Sequence, residues 1–211
     1  MLFRFILIAV FATLATGCSD PKAANEKNFK VAIQNYLDTA YPKCYITSNF
    51  PTTIEYDIGG MEAKLRALAK VGLVSEKVGS REIIVGLGSD GKKTIPAPSF
   101  DLTDEGRKFY KPDVIDRLSS GKMGGFCLGK ANVKSVTQFS EPADMFGHRI
   151  SRVNYTYEVS GFPAWTKTPE ILSAISDLKV DIESEATPIK RLDAFVLTNN
   201  GWVHEKLFNK K

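Results

Sequence analysis

Val153, Tyr155, Tyr157 and Val159 alternate with Asn154, Thr156 and Glu158. That period puts every large apolar side chain on one side of an extended backbone, as in an antiparallel strand with one face in a core and the other in water. Such a face needs a cover. The same half of the chain offers one. Thr168-Pro169-Glu170 predicts a helix start, with the threonine as cap and proline at the first helical position, and Ile171, Leu172, Ile175 and Leu178 form the buried stripe. Val133 to Phe139 predicts a strand, and Leu192 to Thr198 with Trp202 to Phe208 a closing hairpin around Asn199-Asn200-Gly201. Residues 126–211 therefore read as an antiparallel sheet with one packed helix.

The first half keeps another period. Phe29, Ile33, Tyr36, Leu37 and Ala40 recur at helical spacing, predicting a helix from Glu26 to Tyr41 that Pro42 stops. Met61, Leu65, Leu68 and Ala69 predict a second, from about Gly60 to Val71, with Gly72 where a C-terminal glycine belongs. Arg81 to Leu87 and Thr94 to Leu102 predict a hairpin whose second arm is an irregular edge, because of Pro96 and Pro98. Thr103 or Asp101 then caps a short helix to about Leu118. Ser119 to Gly125 is a run of small residues that reads as a linker between units 26–118 and 126–211. The expected class is α+β. Composition agrees: 211 residues, 43% hydrophobic and 25% charged, can bury a core and are neither disordered nor polytopic.

Within the first unit, the helix Met61 to Lys70, then Gly72-Leu73-Val74, a β-ribbon and Phe100-Asp101-Leu102-Thr103-Asp104-Glu105-Gly106-Arg107-Lys108-Phe109-Tyr110 resemble the winged-helix domains of bacterial regulators. The resemblance implies a winged-helix-like fold for 26–118, with the helix in the major groove and the wing on phosphate if it bound DNA. Charge argues against nucleic acid. The formal net charge is only +4, neither half is a polycation, and Glu62 offsets Lys64, Arg66 and Lys70.

The N-terminus carries an address. Arg4 precedes an apolar stretch from Phe5 to Leu14, followed by the small residues Ala15-Thr16-Gly17. That is a secretory signal over residues 1–17, and it is too short for a bilayer span, which takes roughly 20 residues. Its end, Leu14-Ala15-Thr16-Gly17-Cys18, resembles the lipobox of bacterial lipoproteins. The resemblance implies cleavage before Cys18, acylation of that cysteine and a lipid bilayer as partner, with 18–25 as a lipidated leader. Two or three acyl chains, at roughly 0.8 kcal/mol per methylene, anchor stably where one does not. Ser19 in place of an aspartate implies the outer membrane over the inner, facing the periplasm.

In that oxidising compartment Cys44 and Cys127 remain as a pair, and a disulfide between them is expected, with two buried free thiols as the alternative. A bond across a sequence separation of 83 is worth roughly 4.5 kcal/mol on the chain-entropy model.

Chemistry is harder to find. Gly86-Leu87-Gly88-Ser89-Asp90-Gly91 has glycines at dinucleotide-loop spacing, but Lys93 stands where a phosphate loop needs Ser or Thr, and Pro96 and Pro98 bar the helix that must follow. It reads as a hairpin tip. His148 and His204 lack partners at metal-ligand spacing and read as partly exposed strand residues, so no metal or cofactor is expected. No nucleophile elbow occurs, and no catalytic residue is assigned. Asp181, Glu183 and Glu185 alternate along an extended stretch and share one side, which reads as a weak cation site or, more often, as a solvated edge that discourages strand pairing. Phe162 and Trp165, in Gly161-Phe162-Pro163-Ala164-Trp165, are the candidate binding residues, either exposed anchors or plugs closing sheet against helix.

The leading expectation is a non-enzymatic, lipid-anchored envelope protein: a binding or adaptor module meeting a protein or another envelope component. A periplasmic inhibitor or immunity-type protein is the alternative, and an envelope hydrolase comes third because no nucleophile, base and orienter are grouped.

Overall fold

Residues 20–85, 91–117 and 121–208 are described by the computed structural model of the chain. The expected signal peptide, Cys18, residues 86–90 of the glycine-rich segment and Ser119-Ser120 lie outside the described residues. The class is α+β, and every strand pairing among the described residues is antiparallel.

Helix α1 (Glu26–Ala40) starts where the Asn25 side chain accepts from the Asn28 N–H at 2.9 Å and stops before Pro42. Strand β1 (Lys43–Thr47) follows, then the short β2 (Thr52–Thr53) and helix α2 (Met61–Lys70). A long ribbon, β3 (Val74–Ile84) and β4 (Lys92–Leu102), carries β2 on the far edge of β4. Thr103 caps α3 (Asp104–Phe109) through the Gly106 N–H, as expected. The helix ends at Phe109 and not near Leu118. Tyr110 and Lys111 pair with Phe126 and Gly125 and begin β5 (Tyr110–Arg117), and Pro112 cannot donate inside a helix.

The expected linker also differs. Residues 121–125 open β6 (Gly121–Leu128), the centre of a sheet ordered β1-β6-β5. The glycines are there for closeness: a Cβ on Gly124 would stand 1.8 Å from the Tyr110 hydroxyl, and one on Gly125 would stand 2.7 Å from the Ile46 carbonyl oxygen. In the same sheet Cys44 lies opposite Cys127, and the two are joined as a disulfide.

The second half builds a five-stranded sheet from β7 (Lys130–Phe139), β8 (Ala143–Met145), β9 (His148–Ser160), β10 (Ile189–Thr198) and β11 (Gly201–His204). The alternating segment is the middle of β9: Val153, Tyr155, Tyr157 and Val159 are all buried. Their cover comes from the other half of the chain. Phe29, Ala32, Ile33 and Leu37 of α1 close one core cluster with these residues, Phe195 and Trp202. Phe29 is its hub, with ring centroids 4.9 Å from Trp202 and 5.0 Å from Phe139. Gln34 clamps α1 to β7, accepting from the Val133 N–H and donating to the Ala131 carbonyl, both at 3.0 Å.

The helix predicted after Thr168 is two, α4 (Pro169–Ala174) and α5 (Ser176–Glu183), broken at Ile175 with φ -131 and ψ 81. Ile171, Ile175 and Leu178 pack with Leu65 and Leu68 of α2, with Phe100 and with Phe126 in a second cluster. The five-stranded sheet is thus covered by a helix distant in sequence, and α4 and α5 pack on α2, likewise distant. Asp181 and Glu183 belong to α5, not to an extended edge, and Asp181 is buried. No helix among the described residues is long and apolar enough to cross a membrane.

Candidate functional site

The last turn of α1, the start of β1, helix α5 and the middle of β9 and β10 converge on a cleft of about 410 Å³. Alternation on the strands sets its wall. Tyr155 and Tyr157 share the inner side of β9, and Arg191 and Ile189 stand opposite them on β10. Tyr36 comes from α1, Tyr41 from the cap that ends it, and Lys43 from β1. Asp177 and Asp181, one turn apart on α5, close the far side. Lys206, two residues beyond β11, reaches the Tyr36 hydroxyl at 3.2 Å.

Two carboxylates organise this wall. Asp181 accepts from the Tyr45 hydroxyl at 2.6 Å, the Tyr41 hydroxyl at 3.1 Å and the Lys43 ammonium at 3.4 Å. Buried as it is, it has the donors that a desolvated charge requires. Asp193 accepts from the Tyr155 hydroxyl at 2.6 Å and stands 3.4 Å from His204 Nε2. Burial first, then the hydrogen bond to its aspartate, drives the pKa of Tyr45 and of Tyr155 far above the ordinary tyrosine value. Tyr41 shifts the same way, from burial first and then the charge of its neighbours. All three stay protonated donors at neutral pH.

His204 departs from expectation: it is fully buried, not partly exposed. Its ring stacks on Tyr36 with centroids 3.7 Å apart and meets the edge of Phe195 at 5.1 Å. Nδ1 accepts from the Lys206 N–H at 3.0 Å, which leaves the ring proton on Nε2, facing Asp193. Desolvation lowers its pKa, with Asp193 opposing. His148 is exposed, with its ring 4.9 Å from that of Phe208. No cluster of three His, Cys, Asp or Glu side chains able to hold a metal occurs among the described residues.

Phe162 and Trp165 lie away from this cleft. Phe162 is half-buried and packs against both core clusters, which makes it the joint between them. Trp165 meets the edges of Phe109 and Phe126 at 5.7 and 6.2 Å. The packing is that of plugs. Sequence reasoning passed over Tyr41 and Tyr45 as site residues, although Tyr41, Lys43 and Tyr45 alternate and so share one side of an extended segment.

The rim is electrostatically uneven. Asp181 and Asp193 have donors within the protein, and Lys43 pairs with Asp177 and Asp181 at 3.5 and 3.4 Å. Arg191 and Lys206 are exposed and, among the described residues, close no salt bridge with a carboxylate. Tyrosines stand beside them: Tyr157 raises the pKa of Arg191, and the hydrogen bond from Lys206 to the Tyr36 hydroxyl raises that of Lys206. The cleft therefore offers aromatic walls and a cationic edge. Compared with known protein families, curated proteins and solved structures, the chain matches none.

Proposed function

We propose that this chain is a lipid-anchored protein of the bacterial envelope, tethered through Cys18 in the outer membrane, and that it works there as a non-enzymatic binding module. The tyrosine cleft is its ligand site. The observation that carries this reading is the division of charge: Asp181 and Asp193 are engaged by tyrosine hydroxyls and Asp177 pairs with Lys43, while Arg191 and Lys206 face solvent beside the rings. A cleft of this size and polarity fits a small ligand with a carboxylate or phosphate head and a body that stacks on tyrosine. The same contacts support binding without turnover. The tyrosines are pushed away from acting as bases, and His204 has Nδ1 occupied, its ring stacked on Tyr36 and buried.

The helix α2, ribbon β3–β4 and helix α3 follow one another in winged-helix order, and we read them as scaffold, not as a DNA reader. Arg66, which would face phosphate, is held by Glu62 at 2.9 Å and Glu76 at 3.2 Å.

Calorimetric titration of the purified full chain with N-acetylmuramic acid and inorganic phosphate, against neutral N-acetylglucosamine, tests the reading. Saturable binding of an anionic probe with Kd below about 1 mM is expected, weakened at least tenfold by Arg191→Gln combined with Lys206→Gln. Binding that ignores this double substitution, or heat from neither anion, removes the cleft as the site. Acyl labelling of the parent and of Cys18→Ser tests the anchor separately.

A further inference from the structure

Phe146 is 91% exposed and Met145 51% exposed, side by side at the turn between β8 and β9. The Phe146 backbone sits at φ 52 with Gly147 at φ 77, the left-handed pair of a two-residue hairpin. Asn, Asp and Gly take that conformation readily, whereas an aromatic residue is strained in it. Folding stability therefore explains neither the residue type nor its exposure. A benzyl ring and a thioether at a strained tip gain only from something apolar outside the chain.

The sheet register shows what lies beside the tip. Val196 of β10 is opposite Ile150 of β9, and β10 ends two residues later at Thr198, where Asn199-Asn200 turns into β11. The Asn199-Asn200 turn and the Phe146-Gly147 turn are thus at the same end of the sheet. The start of the described chain is there too. A Cβ on Gly201, the first residue of β11, would stand 2.9 Å from the Pro21 carbonyl oxygen, and Trp202 Nε1 donates to the carbonyls of Lys22 and Ala23 at 3.2 Å. Cys18 precedes Pro21 by three residues, a reach of roughly 10 Å at full extension. Two strand spacings, about 10 Å, separate β11 from β9.

We infer that the Met145-Phe146 tip inserts into the interfacial layer of the same bilayer that holds the acyl chains of Cys18. This rests on the anchoring reading above. The short leader pins the tip's end of the sheet to the membrane, and the tip supplies a second point of contact. Two points fix the domain's tilt and turn it from a tethered particle into an oriented one. The depth required is that of an interfacial side chain, roughly 5–10 Å below the headgroups. Because Phe146 touches little of its own protein, substitution there leaves both cores intact.

Phe146→Trp in the full chain, purified in lipidated form and reconstituted in vesicles of phosphatidylethanolamine and phosphatidylglycerol at about three to one, reads the insertion directly. The vesicles carry brominated acyl chains, and the parent, whose Trp165 and Trp202 are packed in the cores, supplies the background. With acylation verified by label, the added tryptophan should shift to the blue and lose at least about half of its emission to bromine. Acylated, vesicle-bound protein whose added tryptophan is neither shifted nor quenched overturns the insertion and leaves the anchor standing. Shift and quenching that arise only when solubilised envelope protein is added overturn it in favour of a protein partner. Absence of acyl label on the parent overturns the anchor and the insertion together.

Discussion

The two core clusters differ in what borders them. The cluster of α2, α4, α5 and Phe126 is bordered by rings: Phe50, Phe109, Tyr110 and Trp165 meet one another or Phe126 edge to face. The cluster of α1 and the five-stranded sheet is bordered at one end by the tyrosine hydroxyls, Asp193 and His204 of the cleft. A ring-packed border can only hold the chain together. A border of polar groups costs desolvation and, at the rim, leaves cations for a ligand. The proposed binding cleft therefore lies in the second region, and the first is the frame that holds α5 against it, with Asp181 reaching across.

Breaking the frame at its covalent tie should have the largest effect. Reduction of Cys44–Cys127, or Cys127→Ser, should destabilise the chain by up to about 4–5 kcal/mol on the entropic account. Urea unfolding with and without reductant measures it. A loss under about 1 kcal/mol would mean that β1–β6 pairing holds the loop closed without the bond.

Truncating the hub of each core comes next. Phe29→Ala and Phe126→Ala should each cost about 3–5 kcal/mol. If the clusters are separate packing units, the double variant should show their sum to within about 0.5 kcal/mol, whereas Phe162→Ala, which touches both, should couple to each. Additivity at Phe162 as well would remove it as the joint.

Elements were legible in this sequence more than their partnerships. The α1 period, the Thr103 and Thr168 starts and the β9 alternation are local, and local stereochemistry decides them. Which helix covers which sheet is decided by contacts between residues far apart in the chain, such as Gln34 to Val133, 99 residues apart, or Tyr41 to Asp181, 140 apart. No period records those. The glycines at 121–125 misled for a related reason: small residues mark a linker when nothing needs the space and a strand when Tyr110 and Ile46 do. Asp181, Glu183 and Glu185 carried an alternation that the helical stripe of Leu178 and Ile182 outweighs once α2 is present. The cleft was hidden because its tyrosines serve at once as core rings and as donors.

Asp181→Ala is the smaller break at the boundary between the regions. It strands two hydroxyls and leaves the Lys43 ammonium only Asp177, for an expected loss of about 2–4 kcal/mol. Asp181→Asn keeps one acceptor oxygen and should lose less. Equal losses for the two would mean that the carboxylate's charge, and not its hydrogen-bond geometry, holds α5.

The smallest effect expected is in pH dependence, and it separates the two regions because only one has a buried histidine. Desolvation lowers the His204 pKa, and Lys206 adds to that lowering, while Asp193 and Glu205 oppose it, so the net displacement is partly cancelled. In the unfolded chain the ring titrates near its ordinary value of about 6.5. Between that value and the lower folded one, the unfolded state carries more protons, so stability is complete above about pH 6.5 and is lost as pH falls through the folded pKa. Protonation would also break the bond by which Nδ1 accepts from the Lys206 N–H. Urea midpoints taken from about pH 7.5 down to 5.5 should decline for the parent and stay flatter for His204→Gln. At the alkaline end the tyrosines act with the opposite sign: their raised folded pKa values make stability complete below about pH 10 and lost above it. A parent midpoint that rises on acidification would mean that Asp193 outweighs burial and holds His204 charged, and the cleft would then carry one more cation than its geometry assigns.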